Sequence, residues 1–418
     1  MMSATTPMNP ACRYKVAIAA PSAPPARIGG VASAHYNLYS ALAGVGCLAT
    51  LLTYNEPEQR PDEPGIIRAG ASARMRSLLG LGVTAYLRLH GSRQIAYQLN
   101  DIIGSIPGAL RMKRHLRHID PDILIIPDRG APGLCLPKAW ATVIQVVHHV
   151  PMRFVAEPSF GAFCKVDAVK ATALEQKALK TVDLVVCPSD YIRKIFREVY
   201  RFEGEAVVIP NAVDVALIQS IEVNDVRRHL RLAPEAPVVY IPSAGSPLKG
   251  SGFIPEIIRS LASDFAGPIG FYLSGNIDAK LVSELERVPE HARIYMPGQT
   301  SHCETIALLK SCSFGVSPTL IENFSMALLE AGCCGVPMVT FDVGGNRELI
   351  ADGLSGFLVQ CQDLRSLLWR SSSLLQRGLC ERMQASTMQH VTQHFSTEVI
   401  AKQYLILFDS VTRITGES

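Results

Sequence analysis

The sequence predicts an α/β chain of two doubly wound domains. Three observations lead there. Apolar runs of strand length alternate with helical stretches over residues 14–209. The alternation lapses over 212–237, restarts at 238 and continues to 359. Several runs end in loops carrying glycine, at Gly29-Gly30, at Gly245 and Gly250, and at Gly344-Gly345. Strand, turn, helix, strand is a βαβ unit, which implies a parallel sheet with ligands at the carboxyl ends of its strands. The 418 residues suffice for two such cores, and a net charge of +3 is too small to argue for nucleic acid. The expected boundaries are 1–211 for the first domain, 212–395 for the second, and 396–418 for a closing helix packing back on the first.

Residues 1–12 are expected to be a disordered lead. Residues 14–20 (YKVAIAA) form the first buried strand, 31–44 its helix and 48–54 the second strand. Gly29-Gly30 in the turn let backbone approach a ligand closely. The apolar stretch 16–20 is broken too soon by Pro21, Pro24 and Pro25 to be a signal sequence. No run of about 18 apolar residues exists to span a membrane. Residues 55–66 are polar and proline-rich, a loop.

Residues 67–118 are basic, with Arg68, Arg74, Arg76, Arg88, Arg93, Arg111, Lys113, Arg114 and Arg117. Leu78, Leu81, Tyr86 and Leu89 are interleaved with them. Such a segment is either a solvated helical face over the core or a peripheral contact with an anionic membrane surface. The alternation then resumes. Residues 122–127 (DILIIP) are a strand, 134–139 a helix, and 142–147 (TVIQVV) a strand running into His148-His149. A histidine at the carboxyl end of a strand points into the ligand crevice of such a sheet. His148 is preferred to His149. A helix over 162–181, a strand over 183–188, a helix over 190–199 and a strand over 206–209 complete the domain.

The second domain opens with a strand at 238–242. Lys249 follows in the glycine-bounded loop 245–250, where a lysine can act as a point charge on phosphate. The spacing is not that of a Walker A loop. Strands at 269–273, 292–296, 314–316, 338–341 and 357–359 alternate with helices, and 363–418 reads as helices alone.

Residues 317–337 (SPTLIENFSMALLEAGCCGVP) organise this half. A polar loop leads into a short apolar helix that ends on Gly332 and Gly335, with Asn323 or Ser325 as N-cap. Glu322 and Glu330 are eight residues apart, about 12 Å along a helix axis. Two carboxylates serving one glycosidic bond stand roughly 5–9.5 Å apart. The longer spacing suits two ends of an extended ligand. The helix N-terminus between them attracts phosphate. A glutamate pair on a surface helix would merely be solvated, but the residues around Glu330 are apolar, and glutamate is rarely buried without a partner.

Together these residues resemble the family-four glycosyltransferases, a retaining group with the GT-B fold. The resemblance rests on Gly29-Gly30, His148, the junction Ile209-Pro210-Asn211-Ala212-Val213-Asp214, Lys249-Gly250, Glu322-x7-Glu330 and Gly344-Gly345. It implies two Rossmann-like domains facing across a cleft, and transfer of a sugar from a nucleotide-diphosphate sugar to an acceptor hydroxyl with retention. It places Glu322 near the donor sugar and Glu330 on the ribose. It gives the backbone N–H groups of Phe324, Ser325 and Met326 to the diphosphate, and Lys249 to the departing phosphate. Asn323 and Ser246 count among the substrate-binding positions. Gly29 and Gly30 would let the first domain close on the diphosphate, and His148 would sit beside the transferring sugar.

The resemblance further implies no cofactor, no bound metal, and a saccharide or lipid-linked acceptor, as in bacterial-type surface polysaccharide or glycolipid synthesis. Two positions depart from the family's pattern: Ser246 stands where arginine is common, and Ser325 where glycine is usual. The competing readings are an inactive GT-B partner subunit and a nucleotide-sugar epimerase or hydrolase on the same fold. Eleven cysteines without a Cys-x-x-Cys favour a reduced, cytoplasmic setting, at most peripheral on the inner face of the membrane.

Overall fold

Seven parallel strands make the first sheet: β1 (Lys15–Ala20), β2 (Leu48–Thr53), β3 (Ile66–Arg68), β4 (Ile123–Pro127), β5 (Thr142–Val146), β6 (Leu184–Cys187) and β7 (Ala206–Val208). Their order is β3-β2-β1-β4-β5-β6-β7. The computed structural model describes residues 13–24, 29–56, 63–90, 98–136, 141–156 and 164–416. Both faces of the sheet are covered, which is why β4 reads ILIIP with every residue buried. One face packs Ile18, Ile125 and Val146 against Leu38 and Leu42 of the Gly30–Gly44 helix and against Ile400 and Phe408 of the closing helix. The other packs Leu124, Ile126 and Val185 against Met112, Leu116 and Phe196.

The second sheet holds β8 (Val238–Ile241), β9 (Ile269–Leu273), β10 (Ala292–Tyr295), β11 (Phe314–Ser317), β12 (Met338–Phe341) and β13 (Gly356–Val359). The order is β10-β9-β8-β11-β12-β13, again all parallel. In each sheet the strand order reverses at one place, between β1 and β4 in the first and between β8 and β11 in the second. The chain divides into two compact units, Met1–Ala212 with Thr397–Ser418, and Val213–Ser396. The closing helix, Thr397–Gly416, thus belongs to the first unit, where its apolar face meets the Gly30–Gly44 helix.

Several expectations need correction. The loop expected to 66 and the basic segment after it hide an edge strand, β3, paired with β2 from Leu51↔Ile66 to Thr53↔Arg68. Arg68 is no part of a solvated basic face. Its side chain is 2% exposed, bonded to Glu56 and lying 2.9 Å from Glu63. The rest of the segment forms two helices, Ala73–Leu89 and Gln98–Ile119, while Arg93 lies outside the described residues. The described part of the helix expected at 134–139 falls in a 3-10 turn, Pro132–Cys135, and 137–139 lie outside the described residues. The inter-domain connection holds two short helices, Val215–Ser220 and Val226–Leu230. The expected lead at 1–12 lies outside the described residues. Among the described residues Cys47 is disulfide-bonded. No described helix is long and apolar enough to cross a membrane.

Close packing at the end of β2 gives a sign test between two effects. Gly108 lies inside the Gln98–Ile119 helix, where alanine would add about 1 kcal/mol of helix propensity. A Cβ there would stand 1.8 Å from the Tyr54 carbonyl oxygen, closer than any real contact. Overpacking costs roughly 1–3 kcal/mol, so the clash wins. Gly108→Ala is expected to lower the unfolding temperature of the first unit, and a raised midpoint would contradict this packing.

Candidate active site

In the second unit the loops after β8 and β11 meet at the place where the strand order reverses. Open α/β sheets bind ligands there, outside the carboxyl ends of the strands. The loop after β8 tightens into a 3-10 turn, Pro247–Lys249, closed by Gly250. Gly250 has φ +79°, and a Cβ on it would lie 2.0 Å from the Pro318 carbonyl oxygen. Only glycine lets the two loops press together so closely. The Leu320 N–H donates to the Leu248 carbonyl at 3.0 Å. On the other side Gly344, at φ +59°, backs onto the Glu322 carbonyl, 1.8 Å from where its Cβ would be. The Gly345 N–H donates to the Asn323 carbonyl at 3.1 Å.

This clamp fixes an ion pair. Lys249 Nζ lies 2.6 Å from Glu322 Oε2 and 3.3 Å from the Ile321 carbonyl oxygen. Glu322 Oε1 accepts from the Asn323 N–H at 3.1 Å. The Lys249 side chain is 31% exposed and that of Glu322 15%. Ser325 then caps the Met326–Cys333 helix, its hydroxyl accepting from the Leu328 N–H at 3.4 Å. The other first-turn N–H groups have no partner within the helix. Phe324 turns its ring inward onto Phe395, with centroids 5.9 Å apart. Glu330 Oε1 lies 2.9 Å from His302 Nε2, and this hydrogen bond raises the histidine's pKa.

In the first unit the chemistry gathers after β1, β4 and β5. His148 is buried, its Nε2 3.1 Å from Nε2 of His35, one ring donating and the other accepting. Asp128, just past β4, accepts from the N–H groups of His148 and His149, each at 2.8 Å. The His149 ring lies 3.2 Å from Asp128 and 3.7 Å from Glu175, which accepts from the Tyr200 hydroxyl. Burial alone would lower His149, but Asp128 and then Glu175 outweigh it and raise it to about 9. Burial pushes Glu175 up to about 7. Burial also lowers His148 to about 4, and burial with the neighbouring His148 lowers His35 to about 3. One imidazolium thus sits beside two neutral imidazoles.

The structure brings Lys249, Glu322, Asn323, Ser325 and Gly344 into one loop cluster, with Glu330 on the helix that follows. Ser246 opens the Lys249 turn as its N-cap, its carbonyl accepting from the Lys249 N–H at 2.9 Å. Gly29 and Gly30 stand at the start of their helix, where a Cβ on either would meet nothing within 4 Å. One spacing argument fails: the helix begins at Met326, so Glu322 lies in the loop before it and the helical rise does not measure the Glu322–Glu330 distance. Ser325, not Asn323, is the cap. Sequence reasoning missed His302, His35, Asp128 and Glu175. Asp128 alone had a visible signal, an acid directly after an apolar strand.

Two doubly wound parallel sheets, each with its polar loops at the point of strand reversal, define a two-domain α/β protein of the GT-B class. The family described as Glycosyltransferase Family 4 matches residues 28–217, and Glycosyl transferases group 1 matches residues 262–389. The chain belongs to the family-four glycosyltransferases. It is 25% identical over 248 residues to a D-inositol 3-phosphate glycosyltransferase of Mycobacterium marinum, covering 56% of this chain and 52% of that protein. The chain spans no more than 61% of the length of the first curated relatives it matches. Among solved structures, sucrose-phosphate synthase from Thermosynechococcus elongatus superposes with a TM-score of 0.69 at 19% identity, covering 96% of this chain and 99% of that one. Anabaena HepE in complex with UDP and glucose gives 0.64 at 17% identity, covering 95% and 100%.

The buried His148 and His35 and the half-buried His149 shape the pH response of the first unit. Glu175, raised from 4.5 to about 7, loses its contribution as pH rises through that window and so only shallows the acid limb. His149 rises from 6.5 to about 9 on folding, so its stabilisation is full below pH 6.5 and is lost between 6.5 and about 9. His148 and His35 are lowered, so their contribution is present above 6.5 and is lost as pH falls toward 4 and 3. The unfolding midpoint of this unit is expected to fall on both sides of pH 6.5. His149→Gln should flatten the alkaline limb. An alkaline limb unchanged in that variant would remove His149 as its cause.

Proposed function

We propose that the chain is a retaining glycosyltransferase that moves a sugar from a nucleoside diphosphate sugar to an acceptor hydroxyl. The observation that carries the reading is the Lys249–Glu322 pair, 2.6 Å apart at the strand reversal of the second unit and next to a capped helix N-terminus. That site offers a cation, a carboxylate and unpaired N–H groups side by side. A sugar diphosphate presents the complementary set, hydroxyls next to an anion. The UDP and glucose held by the HepE structure support the same donor class, and the relatives' names support glycosyl transfer.

The chemistry follows from charge. Breaking the bond between the anomeric carbon and the phosphate oxygen leaves positive charge on the sugar and negative charge on the leaving diphosphate. Lys249 and the N–H groups of Phe324, Ser325 and Met326, fixed before the reaction begins, stabilise that anion more in the transition state than in the ground state. Glu322 hydrogen-bonds the sugar hydroxyls, and Glu330, steadied by His302, takes the ribose. The acceptor oxygen forms its bond on the face the phosphate leaves, and its proton passes to the departing phosphate oxygen. Lysine and helix N-terminus do the charge work, so no metal is required. His148 is assigned to the transferring sugar. Gly29 and Gly30, with open space at their Cβ positions, are assigned to close approach of the diphosphate.

The first unit takes the acceptor, a saccharide or a lipid-linked one, in surface polysaccharide or glycolipid synthesis at the cytoplasmic face of a membrane. The Ala73–Leu89 helix supports a peripheral contact, since Leu78, Leu81 and Leu89 are 68%, 66% and 86% exposed alongside Arg74 and Arg88. A second reading, an inactive partner subunit, draws on Ser246, where the family's arginine would add a second positive charge.

Glu322→Gln is expected to cut transfer by at least about a hundred-fold with the unfolding profile retained, as when a fixed polar group at a reacting centre is lost. Lys249→Ala is expected to lower turnover and weaken nucleoside diphosphate binding together. Steady-state kinetics with radiolabelled donor checks both. Near-normal transfer by Glu322→Gln would remove its assigned role. A wild-type chain that binds nucleotide but transfers nothing to any acceptor would favour the partner reading.

A further inference from the structure

The two acids of Glu322-x7-Glu330 each meet a basic side chain, but not of the same kind. Lys249 Nζ stands 2.6 Å from Glu322 Oε2, and His302 Nε2 stands 2.9 Å from Glu330 Oε1. Lysine as a residue type is charged throughout the neutral range, whereas an imidazole changes charge within it. His302 is the first residue of the His302–Leu309 helix. The positive end of a helix dipole opposes a cation there. Ser301 and Glu304 already close that end as a capping box, the Glu304 carboxylate accepting from the Ser301 N–H at 2.8 Å. The helix start therefore neither needs nor favours a histidine. What holds its charge is Glu330, whose hydrogen bond raises the His302 pKa. The two side chains are 39% and 16% exposed, so the pair opens to solvent. Oε2 of Glu330 has no hydrogen-bond partner among the described residues.

Charge is what makes this pair matter to a ligand. Glu330 lies four residues past Met326, roughly 6 Å along the helix axis from the N–H groups assigned to the diphosphate. That is inside a Debye length of about 8 Å. A carboxylate left uncompensated there repels the phosphates, and one paired with an imidazolium does not. The other ionisable groups around the pair keep one form. Burial holds the protons on Tyr240, Tyr272, Cys333 and Cys334. Lys310, just past the end of the same helix, is bound to the carbonyls of Ile218, Gln219 and Ile221. Cys303, exposed next to His302, is left as the one to control for.

We infer that His302 is a proton-dependent cation of the donor site: protonated, it cancels the Glu330 charge and steadies that carboxylate on the ribose while the diphosphate binds, and neutral, it leaves Glu330 to repel the ligand. The inference rests on the donor reading and adds to it a residue that makes donor affinity depend on pH.

The experiment is calorimetric titration of the full chain with UDP-glucose, GDP-mannose and ADP-glucose between pH 6.5 and 8.5, in buffers of different ionisation enthalpy. Sugar nucleotides serve because they lack the terminal phosphate that titrates at about pH 6. At least one is expected to bind, about ten-fold more weakly at pH 8.5 than at 6.5 as a charge-assisted contact is lost. Binding should take up protons toward the upper end of the range. His302→Gln keeps a hydrogen-bond donor without the charge and should bind weakly at every pH. His302→Lys keeps the charge and should bind tightly at every pH. Cys303→Ser should follow the wild type. The capping box survives in each variant, so each is expected to fold. A wild-type affinity that does not change with pH, or one that falls equally in His302→Gln, overturns the inference and leaves the donor reading standing. Failure of all three sugar nucleotides to bind at any pH overturns both.

Discussion

The contact between Lys249 and Glu322 is the constraint on which the second unit's site depends. Its value is not stability. With side chains 31% and 15% exposed, such a pair contributes at most about 1 kcal/mol. What it does is hold a cation and a carboxylate together across two loops that leave adjacent strands. The glycines make that possible: Gly250 lets one loop rest on the Pro318 carbonyl, and Gly344 lets another rest on the Glu322 carbonyl. A side chain at either position would push the loops apart and separate the charges. The backbone was shaped to place the pair, and the capped helix behind Ser325 adds its free N–H groups to the same spot.

The first unit solves a different problem. It gathers three histidines, two buried and one half-buried, and keeps them apart in charge. Asp128 accepts from two successive N–H groups and faces the His149 ring, so it both fixes the end of β5 and stabilises one cation. Burial would raise the Asp128 pKa, but the His149 charge outweighs it and holds the carboxyl below its ordinary value. His148, held by its own backbone, stays neutral beside His35. A neutral imidazole can donate or accept a hydrogen bond to a sugar hydroxyl, which a structural cation could not do as freely.

Much of this was legible in the sequence. Fully buried parallel strands read as continuous apolar runs, so ILIIP, TVIQV and IGFYL were visible as strands before any helix was placed. The motif Glu322-x7-Glu330 and Lys249 stood out because charged residues interrupt apolar surroundings. What stayed hidden were partners distant in the chain. His302 meets Glu330 across 28 residues, and His35 meets His148 across 113, with no local pattern to join them. β3 was missed because a three-residue edge strand has too few positions to show a period. Arg68 was misread because its acidic partners, Glu56 and Glu63, stand in a stretch that reads as loop. The helical rise failed for Glu322–Glu330 because the pair straddles the cap: Ser325 starts the helix, and the loop before it has no fixed rise.

The central claim is that the second unit binds a nucleoside diphosphate through Lys249, Glu322 and the helix N-terminus without a metal. A thermal-shift series with UDP, GDP, ADP and CMP, with magnesium or a chelator, tests it most directly. A ligand at 100 times its dissociation constant adds roughly 2.7 kcal/mol, which for a unit of about 200 residues is a rise of about 5–10 °C. The account predicts such a rise with one nucleoside diphosphate, equal with and without magnesium. No rise with any nucleotide, or a rise that vanishes in the chelator, would contradict it.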